Sequence, residues 1–400
     1  MKRFFKIFGI TLASFVGVVI VAASIAVWVV FTPERLTPIA RQVADKFITC
    51  EYELGEVDLT FFSTFPEFGL RADGICLVNP MSDAQSDTLL SAPKVVATVN
   101  VADLLVRKNL TIREVSLTDM NANIFINSKG EGNFDVFVTS PDSTEEDTTA
   151  FSLPFNEICV RSLAVEANQL TFVDEKDTID ASLSQTEIKA KVESWDDIRL
   201  NLGSQDICAN VKGTQFANHL CLKMVLPMSA DLETMHFELE DASLAVNEFE
   251  IALAGKADIH DTIHLDAHLE TEEWQIEPLL ALLPSQITES LKDIKVNGKI
   301  HLDADAKGQF GEGVMPLIDA NVTLKDGEAD YKPLPYHLRD IQLVAAAHLD
   351  LNDDKASYVD LTSLSAKTKN TQVEAKGNVT ELLADMLLDL HLKLDANIPD

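Results

Sequence analysis

Three histidines, His260, His264 and His268, recur at the i, i+4, i+8 spacing that stacks ligands along one helix face, and His301 offers a fourth ring nitrogen. Such a set would suit a divalent transition metal, for which neutral imidazole is the commonest protein ligand. The surrounding stretch, however, alternates apolar and polar residues with period two. As a strand it places all three histidines on the polar face beside Asp266 and Glu270. Asp303-Ala304-Asp305-Ala306-Lys307-Gly308 imitates the opening of a calcium loop, yet Lys307 occupies a ligand position and Val314 stands where the bidentate glutamate belongs. It too reads as the wet face of a strand, so no metal or other cofactor is expected.

Nucleophilic and phosphate-binding chemistry has no better foothold. G-x-S-x-G, H-E-x-x-H and G-x-x-x-x-G-K-[ST] are absent, and the glycines of Gly308–Gly313 (GQFGEG), read as a loop, miss the dinucleotide spacing. Asn109, Asn321 and Asn378 each open a glycosylation-type triplet, which a chain rich in Thr-bearing strands produces by chance. Five cysteines, Cys50, Cys76, Cys159, Cys208 and Cys221, lack C-x-x-C spacing, and the odd count leaves at least one thiol unpaired. Cys208 and Cys221 face each other across a hairpin turning near Gly213-Thr214, either as a disulfide or as two small buried hydrophobes. The expectation is a protein that is not an enzyme.

The elements that carry these residues are mostly strands. Val95, Ala97, Val99 and Val101 alternate with polar neighbours, as do Ile263–Leu269, Ile300–Ala306 and Leu388–Leu394. One dry and one wet face per strand is the habit of antiparallel sheets. Turns are expected at Asn127-Ser128-Lys129-Gly130, Asp326-Gly327 and Asn352-Asp353-Asp354. Helical material is scarce: Ile39–Phe47 behind a Thr37-Pro38 cap, Trp274–Leu283, Ser285–Lys292 and Thr380–Met386. So few turns of helix cannot cover a dozen dry strand faces, which must pack on one another, close into a barrel or line a groove. Gly255-Lys256, Gly298-Lys299 and Lys376-Gly377 mark a loose repeat, the signature of a quasi-one-dimensional structure.

Composition narrows the setting. With 46% apolar residues and 16 glycines in 400, the chain is neither disordered nor collagen-like. Its 32 basic and 64 acidic side chains leave a net charge of -32, which repels phosphate backbones and excludes nucleic acid as a partner. Residues 7–31 are uncharged and long enough to span a hydrocarbon core of about 30 Å. Ser24-Ile25-Ala26 offers a signal-peptidase site, but the apolar run continues past it, which favours a retained anchor. Lys2, Arg3 and Lys6 keep residues 1–6 in the cytoplasm, so the rest of the chain lies on the far side.

Leu59-Thr60-Phe61-Phe62-Ser63-Thr64-Phe65-Pro66, Leu89–Val95, Leu104-Leu105, Ile112-Arg113-Glu114-Val115-Ser116-Leu117 and Gly132-Asn133-Phe134-Asp135 follow one another in an order that resembles the AsmA family. Leu279–Pro284, Gly298, Asp326-Gly327 and Leu334-Pro335 are similar to its C-terminal region. The resemblance implies a mainly β protein: an N-terminal transmembrane helix (7–31), then an elongated, mostly antiparallel twisted β-sheet groove with a few short helices. An N-terminal module (32–140) and a repetitive groove region (151–400) flank an acidic loop (141–150). Members are usually longer, so the chain is either incomplete at its C-terminus or a short member.

The resemblance further implies a single-pass inner-membrane protein with its bulk in the periplasm, engaged in outer-membrane biogenesis and phospholipid traffic. Ala97, Val99, Ile263, Leu265, Leu269, Ile300, Leu302, Leu390 and Leu392 would face phospholipid or another acyl lipid. The alternative is a periplasmic scaffold that regulates outer-membrane protein assembly through contacts with envelope proteins.

Overall fold

A computed structural model of the chain describes residues 32–60, 68–100, 110–138, 158–260, 262–283, 288, 293–311, 313–332 and 337–396. The 7–31 segment, the acidic stretch 141–150, Leu104-Leu105 and most of Ser285–Lys292 lie outside the described residues. Among the described residues no helix is long and apolar enough to cross a membrane. The chain divides into two compact units, Met1–Leu170 and Thr171–Asp400.

The first unit opens with helix α1 (Pro33–Phe47). Thr32-Pro33, rather than the second Thr-Pro pair five residues on, supplies the helix start, because proline at the first helical position gives up an amide that has no helical acceptor anyway. Pro38 falls inside the helix, and the Thr37 hydroxyl accepts a hydrogen bond from the Val57 amide (2.9 Å) instead of capping. Eight strands follow: β1 (Tyr52–Leu54), β2 (Val57–Thr60), β3 (Phe68–Ala72), β4 (Ile75–Val78), β5 (Thr88–Ala92), β6 (Lys94–Val99), β7 (Leu110–Ile126) and β8 (Ile158–Val160). Strand β7 receives β6 and β5 antiparallel and β8 parallel, β3 pairs with β6 and β2, and β4 joins β1 to β5. Leu77, Leu89 and Val136 form its core, with Ile75, Leu90 and Ile124 packed against them. Tyr52 donates its hydroxyl proton to Asp45 of α1, and desolvation, with Asp45 beside it, pushes its pKa up to about 12.

The Gly132-Asn133-Phe134-Asp135 motif has a structural reason. Asn133 is fully buried, its side-chain oxygen accepts from the Phe125 amide (2.9 Å) and its side-chain nitrogen donates to the Asn123 carbonyl (2.8 Å). One asparagine side chain thus stands in for a neighbouring strand along β7.

The second unit contains the end of β9 (Ser162–Asp174) and an antiparallel meander: β10 (Ile179–Ser194), β11 (Asp197–Val211), β12 (Thr214–Asp231), β13 (His236–Val246), β14 (Phe249–Ile259), β15 (Ile263–Thr271), β16 (Trp274–Gln275), β17 (Ile294–Phe310), β18 (Leu317–Tyr331), β19 (His337–Leu349), β20 (Tyr358–Lys367), β21 (Thr371–Thr380) and β22 (Leu387–Ala396). From β10 on, each strand pairs with the next, except that β15 and β16 lie end to end along β17. A mainly β, mostly antiparallel architecture is therefore as expected.

Several local readings need correction. Trp274-Gln275 is strand, and helix α2 covers only Ile276–Leu280. Thr380 ends β21, and 381–386 form turns rather than helix, because β22 must reverse onto β21 within six residues. Gly308-Gln309-Phe310 belongs to β17 rather than to a loop, since its register with Ile263-His264-Leu265 continues the ladder. Asp326-Gly327 is not a turn but a bulge inside β18, with Asp326 left-handed (φ 51°) and the register to β19 slipping between Leu324 and Gly327.

Glycines mark close approaches between strands of this sheet. A Cβ on Gly377 (φ +151°) would lie 2.0 Å from the Asp389 carbonyl oxygen, and one on Gly255 would lie 2.8 Å from that of Asp266. Both residues alternate in phase with the apolar side chains, so the neighbouring strand's backbone approaches closely on that side. We call the apolar side, which carries an aliphatic trough, the concave face and the charged side the convex face.

Two substitutions test these points. Asn133→Ala leaves the Phe125 amide without its acceptor and is expected to destabilise the first unit by about 1–3 kcal/mol, measured by denaturant unfolding. Gly377→Ala must push β22 off β21; a drop in amide-exchange protection for Leu388–Leu394, with protection of β10–β15 unchanged, is the expected result.

Candidate functional site

Alternation sorts the second unit into two surfaces. The register runs Ile198–Met228–Leu239–Gly255–Ala267–Ala306–Ile318–Leu349 across successive strands, and Leu343–Leu364–Ala375–Leu392 at the far end. Side chains directly opposite in an antiparallel ladder share a face, so one continuous apolar surface crosses the whole meander. Twelve strands about 4.8 Å apart carry it over roughly 50 Å.

Nothing among the unit's described residues covers this surface. Between Thr171 and Ala396 no Leu, Ile, Val or Met side chain among the described residues is buried, and the buried members of its core are Phe249 and five alanines, Ala217, Ala230, Ala242, Ala304 and Ala375. Leu388, Leu392 and Leu394 on β22 are 62%, 71% and 65% exposed. Near the middle, Leu226, Met228, Phe237, Leu253, Leu265 and Leu269 wall a trough of ≈ 560 Å³. Trp274 closes the same face beside it, edge-on to Phe249 with ring centroids 5.2 Å apart. Its indole nitrogen is buried without a hydrogen-bond partner among the described residues.

The residues expected to face acyl chains divide between the units. Ile263, Leu265, Leu269, Ile300, Leu302, Leu390 and Leu392 all lie on the concave face, and Leu265 and Leu269 line the trough. Ala97 and Val99 sit on β6 of the first unit, where Ala97 pairs with Leu70 and Val115 and Val99 is buried. Sequence reading missed Phe237, Leu253 and Leu226, whose strands do alternate. For Phe237 a one-residue bulge breaks the phase, since Leu239 is followed on the same face by Ala242 with Asp241 left-handed between them (φ 52°). Leu253, in the unbroken alternation Phe249–Ile259, and Leu226, between Met224 and Met228, carry the same period-two signal as the strands that were read.

The convex face holds the charge. Lys256 meets Glu238 and Lys325 meets Glu273 (both 2.6 Å), His236 meets Asp258 (2.6 Å) and His348 meets Asp319 (2.7 Å). The Lys325 ammonium, hydrogen-bonded to Glu273, lowers the pKa of that carboxyl, and the Glu238 carboxylate raises that of Lys256. These exposed pairs mark the wet side rather than hold the sheet.

His264 and His268 are on the convex face of β15, as alternation requires, opposite Asp258 and Asp305, while His260 sits in the turn before the strand. The three do not converge. His268 instead lies 3.4 Å from Asp305 and 3.8 Å from Asp303, where Lys307 also approaches Asp305 (3.6 Å), and His301 bonds the Thr271 carbonyl (2.6 Å). The calcium-like Asp303–Gly308 stretch is β17 strand. Cys208 and Cys221 are unbridged and only half-buried; Cys208 faces His219 across a hairpin that turns at Lys212-Gly213.

Neither a curated protein nor a solved structure matches the chain. A family model does, that of the AsmA family, over residues 1–398. With the match spanning nearly every residue, and with the ordered motifs that stand on β5–β7 and around the buried Asn133, the chain belongs to the AsmA family.

Proposed function

We propose that the concave face of the second unit holds or conducts the acyl chains of phospholipid or a similar lipid, in an inner-membrane-anchored periplasmic protein of outer-membrane biogenesis. The observation that carries the reading is the uncovered aliphatic face, continuous over twelve strands. Soluble proteins seldom leave apolar patches beyond a few hundred Å² without an occupant. Moving an acyl chain along such a face exchanges one apolar environment for another, at about 0.8 kcal/mol per CH₂ on each side of the balance. No bond changes, so the activity needs no catalytic residue or cofactor. In this reading residues 7–31 anchor the chain and the acidic convex side keeps nucleic acid away. Membership of the AsmA family, which is associated with the envelope, is consistent with that setting.

Leu265→Asp tests it. Leu265 lies opposite Ala257 and Gly308, both small, so an open trough accommodates a hydrated carboxylate and the thermal midpoint of the full-length chain should shift little. Capture of lipid by a photoreactive residue at position 302 should fall at least about tenfold, which corresponds to 1.4 kcal/mol. If the wild type captures no lipid and Leu265→Asp unfolds, the face is packed against protein and the scaffold reading replaces this one.

A further inference from the structure

Strands β11 and β12 each contain an irregularity at the same level of the hairpin. The ladder between them skips from Ser204 to Ile207 on β11, leaving Gln205 and Asp206 without a partner on β12 while Asp206 still pairs with Ser184 of β10, and from Ala217 to Leu220 on β12, where His219 is left-handed (φ 55°). Both bulged residues turn their side chains to the convex face, and Cys208 joins them. His219 Nδ1 is 2.9 Å from Asp206 Oδ1 and 3.7 Å from Cys208 Sγ, and the sulfur is 3.9 Å from the same carboxylate oxygen.

This is not a nucleophile relay. A relay needs the carboxylate on one ring nitrogen and the thiol on the other, whereas both converge here on Nδ1. Convergence of a thiol, an imidazole nitrogen and a carboxylate oxygen on one point is instead what a metal ion requires. The circle through the three atoms has a radius of about 2.1 Å, matching the Zn–N and Zn–O bonds of 2.0–2.2 Å and close to the 2.3 Å of Zn–S. An ion would fit with almost no movement. His219 is largely exposed, with 72% of its side chain open to solvent, so a water can complete the coordination from outside.

We propose that Asp206, Cys208 and His219 form a binding site for a Zn²⁺-class divalent transition-metal ion. Thiolate and imidazole select a borderline-soft ion over Mg²⁺ or Ca²⁺. Among the described residues a second cluster of three such groups, His268 with Asp303 and Asp305, has no thiol and already has Lys307 against Asp305, so it does not compete. On binding, the Cys208 thiol loses its proton to solvent and the ion replaces the proton shared by His219 and Asp206. The site is independent of the lipid reading, since it lies on the opposite face from the trough.

Co²⁺ is the probe, because a thiolate ligand gives it a near-ultraviolet charge-transfer band and four-coordination gives it strong visible absorption. The full-length protein, stripped with a chelator and kept reduced with a phosphine, is expected to develop both bands at one equivalent of Co²⁺ and to lose them when Zn²⁺ is added. Cys208→Ser should abolish the charge-transfer band. His219→Gln and Asp206→Asn should each weaken Co²⁺ binding at least about tenfold, and Cys221→Ser should leave it unchanged. Unaltered thermal melting of the metal-free variants confirms that each is folded. Absence of the charge-transfer band in the wild type, or its persistence in Cys208→Ser, overturns the proposal.

Discussion

An antiparallel strand that alternates aliphatic and charged residues cannot hide its dry face by itself. Everything distinctive in the second unit depends on that constraint being left unmet. In most β proteins a second sheet or a row of helices covers the face, and the leucines become the most buried residues of the domain. Here the leucines are half-open, and burial falls to alanines, whose small side chains sink between larger neighbours. Among the described residues, apolar contact between strand neighbours and the backbone ladder therefore carry the fold without a second layer.

The bulges keep this arrangement coherent over long strands. At Gln185, His219, Asp241, Asp326 and Asp340 the chain passes through a left-handed residue, and each time the apolar series shifts parity by one. The extra residue returns the next aliphatic side chain to the concave face after the strand has twisted. Left-handed conformation costs a non-glycine residue roughly 1–2 kcal/mol, least for Asp, Asn and His, and three of these five residues are Asp. Two such irregularities at one level leave polar side chains crowded on the convex side, as with Asp206 and His219.

Much of this is legible in the sequence. Ile263–Leu269, Ile300–Ala306 and Leu388–Leu394 alternate without interruption and are strands with the predicted dry face, and the same argument puts His264 and His268 on the wet one. Interrupted strands are less legible, because a bulge such as Lys325-Asp326-Gly327 has the composition of a turn. Only the matching alternation on both sides, Val322-Leu324 before and Ala329-Tyr331 after, distinguishes them. The Cys208–His219 contact was hidden for the same reason: two bulges reset the cross-strand neighbours of a hairpin whose turn was correctly placed. The close approach of neighbouring strands at Gly255 and Gly377 rests on contacts between strands, which no local pattern encodes.

Charge decides which side of such a sheet meets a lipid. Carboxylates outnumber cations two to one, and alternation collects those of the second unit on the convex face, where pairs such as Lys256–Glu238 neutralise only part of them. An anionic headgroup nearing that side meets like charge within a screening length of about 8 Å and a surface that water already satisfies. The trough side offers aliphatic wall. In the proposed function the two-residue period thus does two tasks at once. It builds the ladder that keeps the sheet open, and it confines acyl chains to the one face where leaving water is favourable.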